Sequence, residues 1–452
     1  MIVLRKRLLF WLIKAYLKRW GRNIFIYFGI GLFIFFLLNI ILSYSITRLP
    51  FTEKETIGMV GSYAIDELPL EILSKISKGL TKTEIDGTVK PNIAEKWKIA
   101  PNGKAYAFYL RKNVHFSDGT NLTSDNVSYD FANVSVTRPD KYTIVFNLKD
   151  NYSPFLTTVT RPIFKKGFVG VGDYKVKKIK LNGSFIESIE LYSEKFHKAL
   201  VYQLFYPTIY ALKIAFSLGE VSRITNLPDL DFKNSTFNSF KNAKVERKIN
   251  HAKLVTLFYN TKDKVISSKT LREGLSYAMP DNFKEGERNS SPLPNFSYAN
   301  QGGFNAYQQD LEHAKLLLDK SETATDSSKI SLTIDTLPKY ESTAKFIASI
   351  WNKLNIKTKI QVTNQVPSSF QIFLGEFNIS PDPDQYTLWH SGQVNNITHY
   401  DNKRIDKLLE DGRKELDTDK RITIYTDFQK YLLSDPPASF LFFPYYYEVS
   451  KK

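Results

Sequence analysis

Hydrophobic positions along this chain fall into two regimes. Near the N-terminus there is one unbroken run; after it come many short segments with alternating or helical spacing. Ile24 to Tyr44 is a stretch of 21 residues without a charge. As a helix rising 1.5 Å per residue it covers roughly 31 Å, about the thickness of a bilayer core. Seven Lys/Arg precede it, and mixed charges follow it (Arg48, Glu53, Lys54, Glu55). That asymmetry predicts a cytoplasmic N-terminus, with everything after about residue 46 outside. Leu8 to Leu17 is apolar but interrupted by Lys14, which reads as an amphipathic interfacial helix. The apolar run exceeds a typical signal-peptide core and no Ala-x-Ala site follows, so an uncleaved anchor is expected.

Beyond a polar stretch at 45–56 the pattern is mixed. Pro69 to Leu80 has apolar residues near helical spacing, with Gly79 at its end. Tyr106–Leu110, Tyr142–Leu148 and Val255–Tyr259 are strand candidates. Asp118-Gly119 suits a tight turn. The clearest unit is the alternation Ile330, Leu332, Ile334, then a helical stripe Ala344, Ile347, Trp351, Leu354, then Ile356, Thr358, Ile360, Val362. Strand, helix, strand predicts a parallel βαβ unit. Arg404–Glu415 and Asp419–Leu433 read as helices, the second stopped by Pro436-Pro437. Phe440 to Tyr447 reads as a strand whose proline favours an edge position. No internal repeat is visible.

Composition changes this picture in two ways. There is no cysteine, which excludes disulfides, thiolate metal sites and a cysteine nucleophile. The net charge of +16 would suit a nucleic-acid binder, but eight of the 62 basic residues and none of the 46 acidic ones lie in the first 50 positions. The remainder is only mildly basic, so no nucleic-acid partner is expected.

Candidate chemistry is sparse. The six histidines show no metal-pair spacing and no H-E-x-x-H, so no metal and no cofactor are expected. No nucleophile elbow or P-loop occurs, and Gly167, Gly170 and Gly172 have the wrong order for a dinucleotide loop. Asp118 in Phe116–Gly119 reads as a hairpin residue rather than a catalytic acid. The segment Pro381-Asp382-Pro383-Asp384 is more informative. A stiff acidic loop beside Tyr386 and Trp389 could hold a cationic ligand group by charge and stacking, or Asp384 could cap a helix, and both readings stay open. The aromatic run Phe440–Tyr447 reads as core.

Several blocks, in order, resemble the family 5 extracellular solute-binding proteins, the peptide- and nickel-type receptors of ABC importers. They are Lys90–Trp97 (KPNIAEKW), Tyr106–Val127 (YAFYLRKNVHFSDGTNLTSDNV), Gly170–Tyr174 (GVGDY), Asn260–Lys262 with Leu271–Met279 (LREGLSYAM), Pro381–Tyr386 (PDPDQY) and Asp419–Gln429 (DKRITIYTDFQ). The resemblance implies an α/β, two-lobed, periplasmic-binding-protein-like (type II) fold with mixed sheets, here preceded by one N-terminal transmembrane helix. It implies a non-enzymatic protein that captures a short peptide or other small solute for an ABC transporter permease. Closure would be a hinge motion biased by a ligand touching both lobes.

The expected organisation is a basic segment at 1–23, a membrane helix at 24–44, a linker at 45–56, lobe one at 57–245 plus the C-terminal strand 440–449, and lobe two at 250–435. Hinge crossings are expected near Lys244–Ala252 and Ser434–Phe440. The expected ligand pocket lies between Tyr63 on lobe one and Phe258, Tyr259, Asn260, Asp382, Asp384, Tyr386 and Trp389 on lobe two. Three departures stand out. Ile379 replaces the aspartate that pairs a peptide amine in many members. The segment between Val127 and Tyr142 is too short for the helices usual there. A helix at 24–44 replaces the usual lipid anchor. Alternatives are a nickel or metallophore binder, a sensory or structural protein on the same scaffold, and a hydrolase, for which no activated nucleophile is visible.

Overall fold

The computed structural model describes residues 6–48, 53–302, 306–321 and 330–452. Two compact units are distinguished: residues 1–54 with 195–199, and residues 55–194 with 200–452. The first is dominated by one helix, Lys6–Arg48. The separate interfacial helix expected at Leu8–Leu17 is therefore continuous with the apolar run. Among the described residues no single helix is long and apolar enough to cross a membrane. Ile13–Asn23 and Phe25–Ile40 meet that requirement together, as a pair bent by 58°. Large apolar side chains along it, including Trp11, Phe25, Phe28, Phe33 and Leu38, are exposed. Of the expected linker, residues 49–52 lie outside the described residues, and Glu53–Thr56 already belong to the strand Glu53–Val60.

In the larger unit the βαβ pattern folds as its periodicities dictate. Ser331–Thr336 and Lys357–Val362 pair in parallel, with Leu332 opposite Thr358 and Ile334 opposite Ile360. The helix between them, Glu341–Lys353, buries Ala344, Ile347, Ile350 and Trp351, a spacing of three and four that keeps one face on the sheet. Each of the two buried isoleucines contributes about 1.5–3 kcal/mol by leaving water. Ile372–Asn378 runs parallel to Ser331–Thr336, but pairs with it only through Ile372, Phe373 and Leu374. Its other flank pairs antiparallel with Lys253–Tyr259 along its whole length.

The C-terminal strand, Ala438–Lys451, organises everything else. Its first half pairs with Lys253–Tyr259 and with Gly286–Arg288. Its second half pairs with Ala243–Ile249 and Arg223–Leu227. It thus belongs to both halves of a sheet that continues through Glu53–Val60, Lys198–Tyr206, Phe185–Ser193 and Lys175–Asn182, rather than to lobe one alone.

The edge position expected from Pro444 is corrected: the strand is interior. A proline N–H is missed only where a partner carbonyl waits for it. Here the flanking chain breaks its own ladder, passing from Ile249 opposite Tyr445 to Val255 opposite Phe442, and Asn250 N donates to Pro444 O at 2.9 Å. Two antiparallel chains therefore cross between the lobes, at about residues 249–253 and 443–445. The second crossing replaces the one expected at Ser434–Phe440, because residues 438–442 are still in the ladder with Lys253–Tyr259.

A separate four-stranded sheet is built from Ala94–Ile99, Ala105–Leu110, Thr143–Leu148 and Val134–Asp140, in that spatial order. Tyr106, Phe108, Ile144 and Phe146 alternate inward onto Phe155 and Val159. Phe108 meets Phe146 edge-on at 5.8 Å. The short segment between Val127 and Tyr142 thus supplies an edge strand to this sheet. The hairpin Thr81–Pro91 and the loop after Leu148 touch the other lobe. Tyr298 N donates to Asp86 O at 2.8 Å, and Ser153 N to Arg413 O at 2.7 Å. Gly87, at φ +87°, lies so close to Pro381 O that a Cβ would collide with it.

Candidate ligand-binding site

The acidic loop after Ile372–Asn378 is fixed by two arginines. Asp382 and Arg421 are both buried. Arg421 Nη2 donates to Asp382 Oδ1 at 2.6 Å and Nη1 to Oδ2 at 2.9 Å, a two-pronged pair. The same guanidinium donates to Tyr298 Oη at 2.7 Å and through Nε to Gly412 O at 2.9 Å. Burial alone would lower the Arg421 pKa, but the Asp382 carboxylate outweighs it and raises it.

Asp384 accepts from Arg413 Nε at 2.9 Å and from Tyr386 N at 3.1 Å. Burial lifts its carboxyl above the ordinary range, against the pull of Arg413. Arg413 also lies over the Tyr386 ring at 4.3 Å and the Tyr152 ring at 5.3 Å. Both carboxylates of the loop are thus engaged inside the protein, and Asp384 orders the backbone at the start of the short helix Tyr386–Trp389. Ile379 is buried in an apolar cluster with Leu254 and Phe377.

Strand alternation sorts the other expected residues. Phe258 turns to the face of Phe373, Phe377 and Trp389, whereas Tyr259 turns to the opposite core. There Tyr259 Oη lies 2.7 Å from Ser439 Oγ, and burial pushes its phenol up to about 12 against the Ser439 and Ser276 hydrogen bonds. Asn260 closes the strand end, donating to Phe370 O at 2.8 Å. Tyr63 packs in the Ile72 and Tyr202 cluster, and its hydroxyl donates to Val60 O at 2.9 Å. Phe258 and Trp389 are brought together, their rings 6.3 Å apart. Asp382, Asp384 and Tyr386 form a second group around Arg413 and Arg421.

Two concavities adjoin these groups. An apolar recess of about 150 Å³ is lined by Phe258, Phe373, Phe377, Leu388, Trp389 and Ile397, with Val366, Glu376, Asn395 and Thr398 also on its wall. A larger groove of about 720 Å³ runs along the two crossing chains, with Asp229, Asn250, Lys253, Lys339, Glu376 and Tyr445 among its walls. Tyr63 lines neither. Glu376 stands between them. Its burial would raise its pKa, but hydrogen bonds from Lys253 at 2.6 Å, from Lys339 and from Tyr340 hold it down at about 2. The Lys339 contact is 2.8 Å.

Arg413 and Arg421 were not anticipated from the sequence. For Arg421 a signal existed: it shares the helical stripe of Tyr425, Phe428 and Leu432, where a charge on a core face demands a partner.

Two lobes, each with a sheet flanked by helices and joined by two crossing chains, define a binding-protein architecture of the periplasmic type. The chain belongs to the bacterial extracellular solute-binding proteins, family 5, whose model matches residues 88–134 and 126–398. Among curated relatives, oligopeptide-binding protein AppA of Bacillus subtilis is 23% identical over 457 residues, covering 84% of this chain and 83% of its own. The probable D,D-dipeptide-binding periplasmic protein DdpA of Escherichia coli is 24% identical, covering 80% and 79%. Among solved structures, CtaP of Listeria monocytogenes, an ABC transporter substrate-binding protein, superposes with TM-score 0.72 at 21% identity, covering 88% of this chain and 94% of that one. NikZ of Campylobacter jejuni, in complex with Ni(L-His), gives 0.68 at 21% identity, covering 89% and 94%.

Proposed function

We propose that this chain captures short peptides outside the cytoplasm and delivers them to an ABC transporter permease, without chemistry of its own, while its N-terminal helix holds it to the membrane. One observation carries the peptide reading. Ile372–Asn378 loses its parallel neighbour after Leu374, so the flank of Gly375–Asn378 has no strand partner among the described residues. Leu374 O faces that flank, accepting from Thr336 Oγ1 at 3.2 Å, and alternation puts the Glu376 N–H and C=O on the same side. An extended peptide can add there as a strand, recognised through its main chain. The recess opens on the same strand.

Relatives named for oligopeptides and dipeptides support this choice of solute. Because Asp382 and Asp384 are already paired, the peptide amine has to be met elsewhere, and main-chain pairing gives affinity without it. The anchor reading draws on the exposed apolar side chains of the bent helix and on its basic leading flank. Titration of the purified full chain with di- to pentapeptides tests the proposal. Saturable binding with micromolar or tighter dissociation constants is expected; heat signals no larger than dilution for every length reject it. Membranes washed with alkaline carbonate should retain the chain, and its release would reject the anchor.

A further inference from the structure

We infer that the basic half of the N-terminal helix is a docking face for the headgroups of anionic phospholipids on the cytoplasmic side of the membrane. The inference rests on the anchor reading above and narrows it to a lipid class. Lys14, Lys18 and Arg22 recur every four residues within the helix Lys6–Arg48. At 3.6 residues per turn that spacing stacks them along one face. Ile13, Tyr16 and Trp20, spaced by three and then four, line the opposite face. All six side chains are exposed.

The basic face calls for an anion from outside the helix. No Asp or Glu occurs in the first 50 positions, so Lys14, Lys18 and Arg22 meet only like charges at i+4, which weakens a helix in water. The apolar face decides the kind of anion. A nucleic acid or an acidic protein surface would cover the basic face and leave Ile13, Tyr16 and Trp20 in water. A membrane surface takes both faces at once: the apolar one sinks to the boundary between headgroups and acyl chains, and the basic one reaches the phosphates. Tyr16 and Trp20 are residue types that settle at that depth, and Trp11, on the basic side, is of the same type.

The bend sets the angle. Ile13–Asn23 departs from Phe25–Ile40 by 58°. With the second segment along the bilayer normal, the first lies within about 32° of the membrane plane, and the tilt of about 20° common to membrane spans can lay it flatter. Its 11 residues then run about 16 Å along the surface. Basic residues clustered immediately before a span attract anionic lipid through the negative surface potential of the cytoplasmic leaflet.

A headgroup that meets one basic side chain gains about 1 kcal/mol, a preference of about five-fold. The experiment places the full chain in phosphatidylcholine vesicles holding a trace of spin-labelled phosphatidylglycerol or of spin-labelled phosphatidylcholine. It compares the fraction of each label immobilised against the protein. At low salt phosphatidylglycerol should be preferred about five-fold, and the preference should fall towards one at about 1 M salt. It should also vanish in the triple variant Lys14→Gln, Lys18→Gln, Arg22→Gln, whereas Lys14→Arg, Lys18→Arg, Arg22→Lys should keep it. Equal immobilised fractions of the two lipids in the unaltered chain, or an unchanged preference in the glutamine variant, would overturn the inference while leaving the anchor standing. No immobilised fraction of either lipid would overturn the anchor reading, and this inference with it.

Discussion

Replacing Arg421 by methionine should be among the most damaging single changes in the protein, although the residue faces no ligand. Arg421 and Asp382 are only 5% and 6% exposed, and their charges meet through two hydrogen bonds. Removing one member of such a pair leaves the other buried and uncompensated, at a cost of about 3–5 kcal/mol. The loss of donors to Gly412 O and Tyr298 Oη adds to this, at about 1 kcal/mol each. One contact softens the loss, because Asp382 Oδ1 also accepts from Asp384 N at 3.0 Å. The net expectation for Arg421→Met is about 4 kcal/mol. Asp382→Asn strands the guanidinium instead and should cost about 3 kcal/mol. The double variant removes both charges, so it should lose about 3 kcal/mol rather than the sum. Urea unfolding followed by tryptophan fluorescence measures all three, with Trp389 following Asp382 by seven residues. A loss below 1 kcal/mol for Arg421→Met, or strict additivity in the double variant, would refute the pairing argument.

Other outcomes follow from single features. Glu376 has its pKa lowered from 4.5 to about 2. A group depressed in the folded state stabilises above its unfolded value, so about 3 kcal/mol should be lost as pH falls from about 4.5 towards 2. Acid unfolding of Glu376→Gln should lack that component, and an identical pH profile in the two proteins would contradict it. Gly87→Ala places a Cβ against Pro381 O at a φ of +87°. It should weaken peptide binding several-fold by holding the lobes apart, read by titration, while each lobe keeps its helix and strand content by circular dichroism. Phe258→Ala enlarges the recess and removes ring contacts with Phe373, Phe377 and Trp389; a loss of about 3–5 kcal/mol in unfolding is expected.

The parts of the fold that were legible in the sequence are those where one local rule decides. The βαβ unit at 331–362 combines period 2 and period 3.6 within a short stretch, and nothing distant competes with them. The C-terminal strand was placed wrongly at an edge because the proline rule assumes an unbroken partner ladder. Here the partner chain interrupts itself at residues 250–252, opposite Pro444, which only pairing over nearly 200 positions decides. The acidic loop showed the opposite limit. Asp382 and Asp384 were conspicuous as a motif, but their partners Arg421 and Arg413 lie 39 and 29 residues downstream, so charge available to a ligand could not be told from charge spent internally. Trp389 was singled out as an aromatic neighbour of the loop, and Phe258 as an expected pocket residue. The recess they share also needs Phe373 and Phe377, whose facing depends on strand alternation in Ile372–Asn378.

Two lobes that pivot on the crossings near 249–253 and 443–445 should close around a peptide. The chain has no cysteine, so Asp150→Cys and Lys407→Cys, both at exposed positions, give two unique spin-label sites, one on each lobe. Distances between them, measured by double electron–electron resonance, should be long and broadly distributed in the empty protein. They should collapse to one short, narrow population when a peptide is added. A distribution that no peptide changes would contradict the account.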